Sequence, residues 1–221
     1  MKVCTDACFF GAWVADKLAS GELKANRILD IGSGTGLLGL MLAQKSSAEI
    51  DGVEIDKKAY LQSTDNIAAS PWADNIHIYH CALNDFSVEE KYDLIICNPP
   101  FYEDQLKSGD AQRDLAMHAT ALSFVELAHA FKALLSEAGT AAVLLPYDRV
   151  SYLKEELTAG GLFITEKINI AHSPTHKHFR SFLQISPVPK LFTEKELLIK
   201  DSAGVYSEEF CRLLKDYYLS L

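Results

Sequence analysis

Asp30-Ile31-Gly32-Ser33-Gly34-Thr35-Gly36 is the stretch that decides the fold. It follows the apolar run Arg27 to Ile31 and opens a helical stretch, Leu37 to Lys45. A strand that ends in glycines and passes directly into a helix makes a cradle. Backbone comes close to a ligand where a side chain would collide, and helix N–H groups face it. That is a nucleoside-cofactor site in outline. The dinucleotide pattern G-x-G-x-x-G would need its third glycine where this chain has Leu37, so the spacing here is G-x-G-x-G behind an acid. The glycines alone leave a plain tight strand-to-helix turn open as the alternative.

Working outward, Glu49 to Glu54 reads as the second strand. Glu54 follows the first glycine by about twenty residues, where a carboxylate at a strand end accepts hydrogen bonds from both ribose hydroxyls. Asp56 is the better candidate to cap the next helix, Lys57 to Ala69, which closes at Ser70-Pro71. A third strand, Ile76 to His80, leads into Cys81-Ala82-Leu83-Asn84-Asp85. The fourth, Tyr92 to Cys97, is a near-continuous apolar run suited to the middle of a parallel sheet, and it stops at Asn98-Pro99-Pro100-Phe101. A long polar stretch follows, Tyr102 to Thr120, read as a substrate-side loop carrying Lys107 and Arg113. Then come a helix Ser123 to Leu135, a strand Gly139 to Leu145, a helix Tyr147 to Ala159, and strands Leu162 to Ile170 and Phe179 to Ser186. The tail holds a short strand-like Glu196 to Lys200 and a helix Glu208 to Leu219. Ahead of the glycine turn, a helix places Phe9, Phe10, Trp13, Val14 and Leu18 on one face, with Asp6 or Thr5 as its N-cap. The expected fold is α/β: a doubly wound sheet of seven strands, helices between the first six, and an antiparallel last strand. One domain spans residues 1–221.

Length and composition agree with this. The chain has 221 residues, enough for one α/β domain with a full core. No apolar stretch is long enough to cross a bilayer, and the start lacks the basic and apolar regions of an export signal. Five cysteines, an odd number with Cys97 in a core-like run, point to reduced thiols in a cytoplasm. A zinc site at Cys4 and Cys8 would need further ligands that no second spaced pair supplies, and His172, His176 and His178 lack neighbouring acids or cysteines, so no metal is expected. The net charge is −9 with a pI near 5.2. Global attraction therefore cannot hold a nucleic acid, and any such substrate needs a local basic patch. His172, His176, Lys177, His178 and Arg180 around the last hairpin give one, with a solvated hairpin as the equal alternative.

The glycine turn, Glu54 and Asn98-Pro99-Pro100-Phe101 together resemble the class I methyltransferases that modify amino groups with S-adenosylmethionine as cofactor. An exocyclic purine amine is a poor nucleophile because its lone pair is delocalised into the ring. The Asn98 side-chain oxygen and the Pro99 carbonyl can each accept one amine N–H and leave the lone pair aimed at the methyl group. Pro100 lacks an N–H that would satisfy the loop internally, and Phe101 offers a ring for a flipped-out base. The same tetrapeptide occurs in adenine-N6, guanine-N2 and glutamine-N5 enzymes. The front of the chain, Met1-Lys2-Val3-Cys4-Thr5-Asp6 through Gly11-Ala12-Trp13, is similar to the bacterial methyltransferases acting on adenine 37 of valine tRNA. Ser70-Pro71-Trp72-Ala73 and Tyr206-Ser207-Glu208 match in the same order. The resemblance implies tRNA adenine-N6 methylation. It places Lys2, Thr5, Asp6, Asp30, Gly32, Gly34, Gly36, Glu54, Ala82, Asp85 and Asn98 at the cofactor, and makes Asn98, Pro99 and Phe101 catalytic. Pro100, Phe101, His178 and Arg180 are read as contacts to a tRNA partner, and a monomer is favoured. The family usually carries a further basic and aromatic stretch before M-K-V that this sequence lacks. The alternatives are protein glutamine-N5 or ribosomal guanine-N2 methylation, and a non-catalytic binding module of the same fold.

Overall fold

The central strands are apolar on both faces, so the sheet they form must be covered twice. In the computed structural model, which describes residues 4–99 and 122–221, it is. The strands are β1 (Arg27–Ile31), β2 (Glu49–Glu54), β3 (Ile76–His80), β4 (Tyr92–Cys97), β5 (Leu135–Pro146), β6 (Phe163–Ala171), β7 (His178–Ser186) and β8 (Thr193–Leu198). They form one sheet in the order β3-β2-β1-β4-β5-β7-β6-β8. The helices are α1 (Thr5–Ala19), α2 (Leu37–Ala43), α3 (Lys57–Ala68), α4 (Phe124–Leu134), α5 (Val150–Ala159) and α6 (Glu208–Leu214). Strands β1 to β5 run parallel, while β7 is antiparallel to both neighbours.

Successive side chains of a strand go to opposite faces, and two cores result. Ile28, Leu94, Ile96, Ala142 and Leu144 meet α1, α2 and α6, where Phe9 lies edge-on to Phe182 and Phe210. Leu29, Ile31, Ile95, Cys97, Val143 and Leu145 meet α4 and α5.

Four expectations are corrected. An eighth strand joins the sheet: β8 pairs parallel to β6, so the last strand along the chain is not the antiparallel one, which is β7. β8 begins earlier than the apolar residues of the tail suggest, because Thr193, Glu194, Lys195 and Glu196 pair through backbone, and a charged outermost strand suits an edge. Second, β3 and β4 are joined by a 3-10 turn, Leu83–Asp85, and not by a helix. Third, α1 starts at Thr5, with Cys4 in the cap position and no side-chain cap bond; Asp6 lies in the first turn. The last helix also stops at Leu214. Asp56 does cap α3, accepting from the Ala59 N–H at 2.8 Å.

Candidate cofactor and substrate site

The strand order reverses between β1 and β4, and that is where open α/β sheets bind ligands, beyond the carboxyl ends of the strands. The register makes the consequence explicit. Ile31 stands beside Val53 on one side and Cys97 on the other. The next residues along each strand, Glu54, Gly32 and Asn98, therefore emerge from three adjacent strand ends, about 10 Å from first to last at the usual spacing. The glycine turn, the proposed ribose acid and the Asn-Pro stretch are one place.

Gly32, Gly34 and Gly36 all have left-handed backbone, with φ of 70°, 57° and 80°. Any other residue there carries a steric penalty, which accounts for the three-glycine spacing. At Gly36 a Cβ would touch Ser63 of α3 at 3.4 Å, an ordinary contact, so the backbone conformation is what demands the glycine. Gly32 and Ser33 donate backbone N–H groups to the Val53 carbonyl at 2.9 and 3.1 Å, which fixes the turn against β2. Glu54 is buried and clasps the same turn: its Oε2 accepts from the Gly34 N–H at 2.8 Å and its Oε1 from the Asp56 N–H at 2.7 Å.

Asp30 is 1% exposed, and its Oδ2 accepts a 3.3 Å bond from the Gly39 N–H of α2. Its Oδ1 is buried without a partner among the described residues. Burial pushes its pKa up to about 7; the Gly39 bond opposes this, and the nearby charge of Glu54 adds to it. Burial, reinforced by Asp30, holds the Cys97 thiol well above its ordinary range. A buried anion with an orphaned oxygen fits a cationic group, because a cation within a few ångströms would offset the desolvation.

Asn98 is half-buried, and its amide has no hydrogen-bond partner among the described residues; Pro99 is buried. Lys2, Pro100 and Phe101 lie outside the described residues, as do Lys107 and Arg113. Thr5 is exposed at the start of α1 and interacts with the Tyr218 hydroxyl. Asp6 accepts from Arg180 Nε at 2.9 Å. Burial would raise its pKa, but bonds from Cys4 and Arg180 and the charge of Arg180 outweigh this and hold the carboxyl below the ordinary range. Arg180 stands opposite Pro146 at the carboxyl end of β5, on the same rim as Asn98. His178 contacts Glu196 at 2.6 Å and lies 5.1 Å from the Tyr147 ring.

Ala82 opens the 3-10 turn in extended conformation, and Asp85 is exposed at its end. Asn84 turns to the start of α4 and donates to Glu126 at 2.9 Å. Glu126 forms a capping box with Ser123. The Ser123 backbone and hydroxyl, then Asn84, hold Glu126 below the usual carboxylate range. The sequence reading missed Ile55: directly after Glu54 it is 45% exposed, an apolar surface beside that carboxylate. The signal was an isoleucine between a strand end and a helix cap, where a polar residue is usual.

This fold and this arrangement of strand ends define a class I S-adenosylmethionine-dependent methyltransferase. The structure superimposes on the crystal structure of a predicted O-methyltransferase from Agrobacterium tumefaciens with a TM-score of 0.68, at 17% identity over 95% of each chain. The family model "Methyltransferase small domain" matches residues 12–123. Among curated relatives, the tRNA1(Val) (adenine(37)-N6)-methyltransferase of Flavobacterium psychrophilum is 40% identical over all of this chain and 94% of its own length. The enzyme of the same name from Yersinia enterocolitica is 37% identical over all of this chain and 87% of its own. The chain belongs to the tRNA1(Val) (adenine(37)-N6)-methyltransferase family.

Proposed function

We propose that this protein methylates N6 of adenine 37 in valine tRNA. S-adenosylmethionine, when bound, supplies a methyl group on a sulfonium. The observation that carries the reading is the convergence of Glu54, the glycine turn and Asn98 at three neighbouring strand ends. Glu54 accepts from the ribose hydroxyls; Gly32, Gly34 and Gly36 let the backbone approach; Ile55 and the Ala82 to Asp85 turn border the adenine. Asp30 faces the cationic methionine end, since its Oδ1 is the buried carboxylate oxygen left without a partner among the described residues. Thr5 and Asp6 border the pocket from the α1 side, with Asp6 paired to Arg180.

At the substrate, the Asn98 oxygen and the Pro99 carbonyl accept the two N–H bonds of the adenine amine. The nitrogen lone pair is then directed out of the ring plane, which is where the new bond to carbon forms. The methylated nitrogen loses one proton to water, so no side chain has to act as a base. The family resemblance gives the flipped base to Pro100 and Phe101, and His178 and Arg180 are the candidates for contact with the RNA. No helix of the described residues is long and apolar enough to cross a membrane, and a tRNA substrate is met in the cytoplasm.

The test is incubation with labelled cofactor and either unmodified valine tRNA or a release factor. N6-methyladenine in digested tRNA is the expected product. Label in the release factor would replace this reading with glutamine-N5 transfer, and absence of cofactor binding would leave a non-catalytic module.

A further inference from the structure

Between Lys167 and Thr193 the chain has no aspartate or glutamate, although the whole protein has 30. The fold brings this acid-free run to the rim that carries Asn98 and adds to it a segment from further along the chain. The His172 ring is stacked on Phe179 at 4.2 Å and 4°, and His172 is exposed, so the ring pair can offer its outer face. The Arg180 guanidinium lies 5.6 Å from the centre of the Phe179 ring. On the other side, the His172 carbonyl accepts from the Lys200 N–H at 2.9 Å, which sets the exposed Lys200 next to it. Lys200 pairs with Tyr206, and its ammonium stands 5.9 Å from the Tyr206 ring. Tyr206 is 42% exposed and is held by stacking at 4.9 Å on Phe210, which is fully buried.

The result is a row that alternates cation and ring: Arg180, Phe179 with His172, Lys200, Tyr206. Of the nearby carboxylates, Glu194 accepts from Lys167 and Asn169, Glu196 contacts His178, and Asp201 accepts the Ala203 and Val205 N–H groups of its own turn, while Asp6 pairs with the row's own Arg180 and fixes its guanidinium. β4, which Asn98 follows, is four strand positions from β8, so the row leads away from the target-base site over about 20 Å.

We propose that this row is a single-stranded RNA track that holds the anticodon-loop nucleotides flanking the target adenine. Exposed planar rings take bases by their faces and interleaved cations take phosphates, without sequence readout. An acidic peptide would use the cations but leave the open ring faces uncovered. The choice of RNA rests on the tRNA reading above; the track itself is tested separately from methyl transfer.

The experiment measures binding of a labelled valine anticodon stem-loop RNA by fluorescence anisotropy for the wild type, His172→Ala, Lys200→Ala and the pair combined. Lys24→Ala, at the opposite end of the sheet, serves as a control. Each track variant is expected to weaken binding by about 5-fold or more, as for loss of one stacked base or one phosphate contact. Lys200→Ala should also lower the salt slope by about one. Cofactor affinity should be unchanged, which reports an intact fold. Affinities equal to the wild type, or a wild type that binds no RNA, would overturn the track. Methylation of the same RNA by the wild type is scored independently. Binding that depends on the track with no methyl transfer would keep the track and remove the adenine-methylation reading.

Discussion

Replacing Asp30 by asparagine should stabilise the protein in the absence of cofactor, and by an amount that depends on pH. The unfolded carboxyl ionises near 3.8, whereas the folded one holds its proton to about 7 because it is buried. Below the lower value both states are protonated and nothing is lost. Between the two, the unfolded chain gives up the proton first, so folding takes up a proton and stability falls as pH rises, flattening above the higher value. At about 1.4 kcal/mol per pH unit, the full cost is about 4 kcal/mol at pH 8 and about 1.5 kcal/mol at pH 5. The neutral amide that replaces the carboxyl keeps an oxygen for the Gly39 N–H and escapes that cost. Urea unfolding followed by the fluorescence of buried Trp13 should therefore show Asp30→Asn gaining about 2–3 kcal/mol more, relative to wild type, at pH 8 than at pH 5. The same variant should bind S-adenosylmethionine more weakly, and the rise of wild-type affinity between those pH values should disappear. A stability difference independent of pH would refute the argument that an uncompensated charge sits there.

Asn98→Ala should lower kcat by about 100-fold or more while leaving cofactor affinity nearly intact, as for loss of a transition-state hydrogen-bond partner. Glu54→Ala should do the reverse, raising the cofactor Kd by about 10–100-fold, measured by calorimetry; exchanged phenotypes would show the two sites misassigned. Gly36→Ala forces a side chain into left-handed backbone, and should cost about 1–2 kcal/mol in urea unfolding. Lys17→Met removes the buried cation that contacts Glu166 at 2.8 Å and should cost about 3 kcal/mol by the same measurement, because it strips a buried carboxylate of its closer partner.

Much of the site was legible in the sequence because its parts are local. A strand followed by three glycines is a one-dimensional pattern, and so are an acid at the next strand end and prolines after an apolar run. The strands β1 to β4 were found at their observed bounds because turns punctuate each of them and β1 and β4 are near-continuous apolar runs. What the sequence hid depends on contacts between distant segments. Asp6 reads as a helix cap in sequence, yet it lies in the first turn of α1 and its partner Arg180 is on β7. Asn84 falls in the expected adenine turn, yet its side chain turns to Glu126 of α4. β8 carries charges at the positions where an interior strand would carry apolar residues, since an edge strand is held by its backbone and left open to water. Nothing in the sequence linked Lys200 and Tyr206 to the last hairpin until pairing placed them beside His172.

The clasp between Glu54 and the Gly34 N–H has an effect on turnover. On the proposed reading it fixes the half that would hold adenosine before anything binds, and that half is common to the fresh methyl donor and to its spent, demethylated form. Little ordering energy would be left there for telling one from the other. Discrimination would then come from the sulfur end, where only the donor would bring a positive charge close to Asp30, and the spent form should linger as a competitive inhibitor that a cell has to clear.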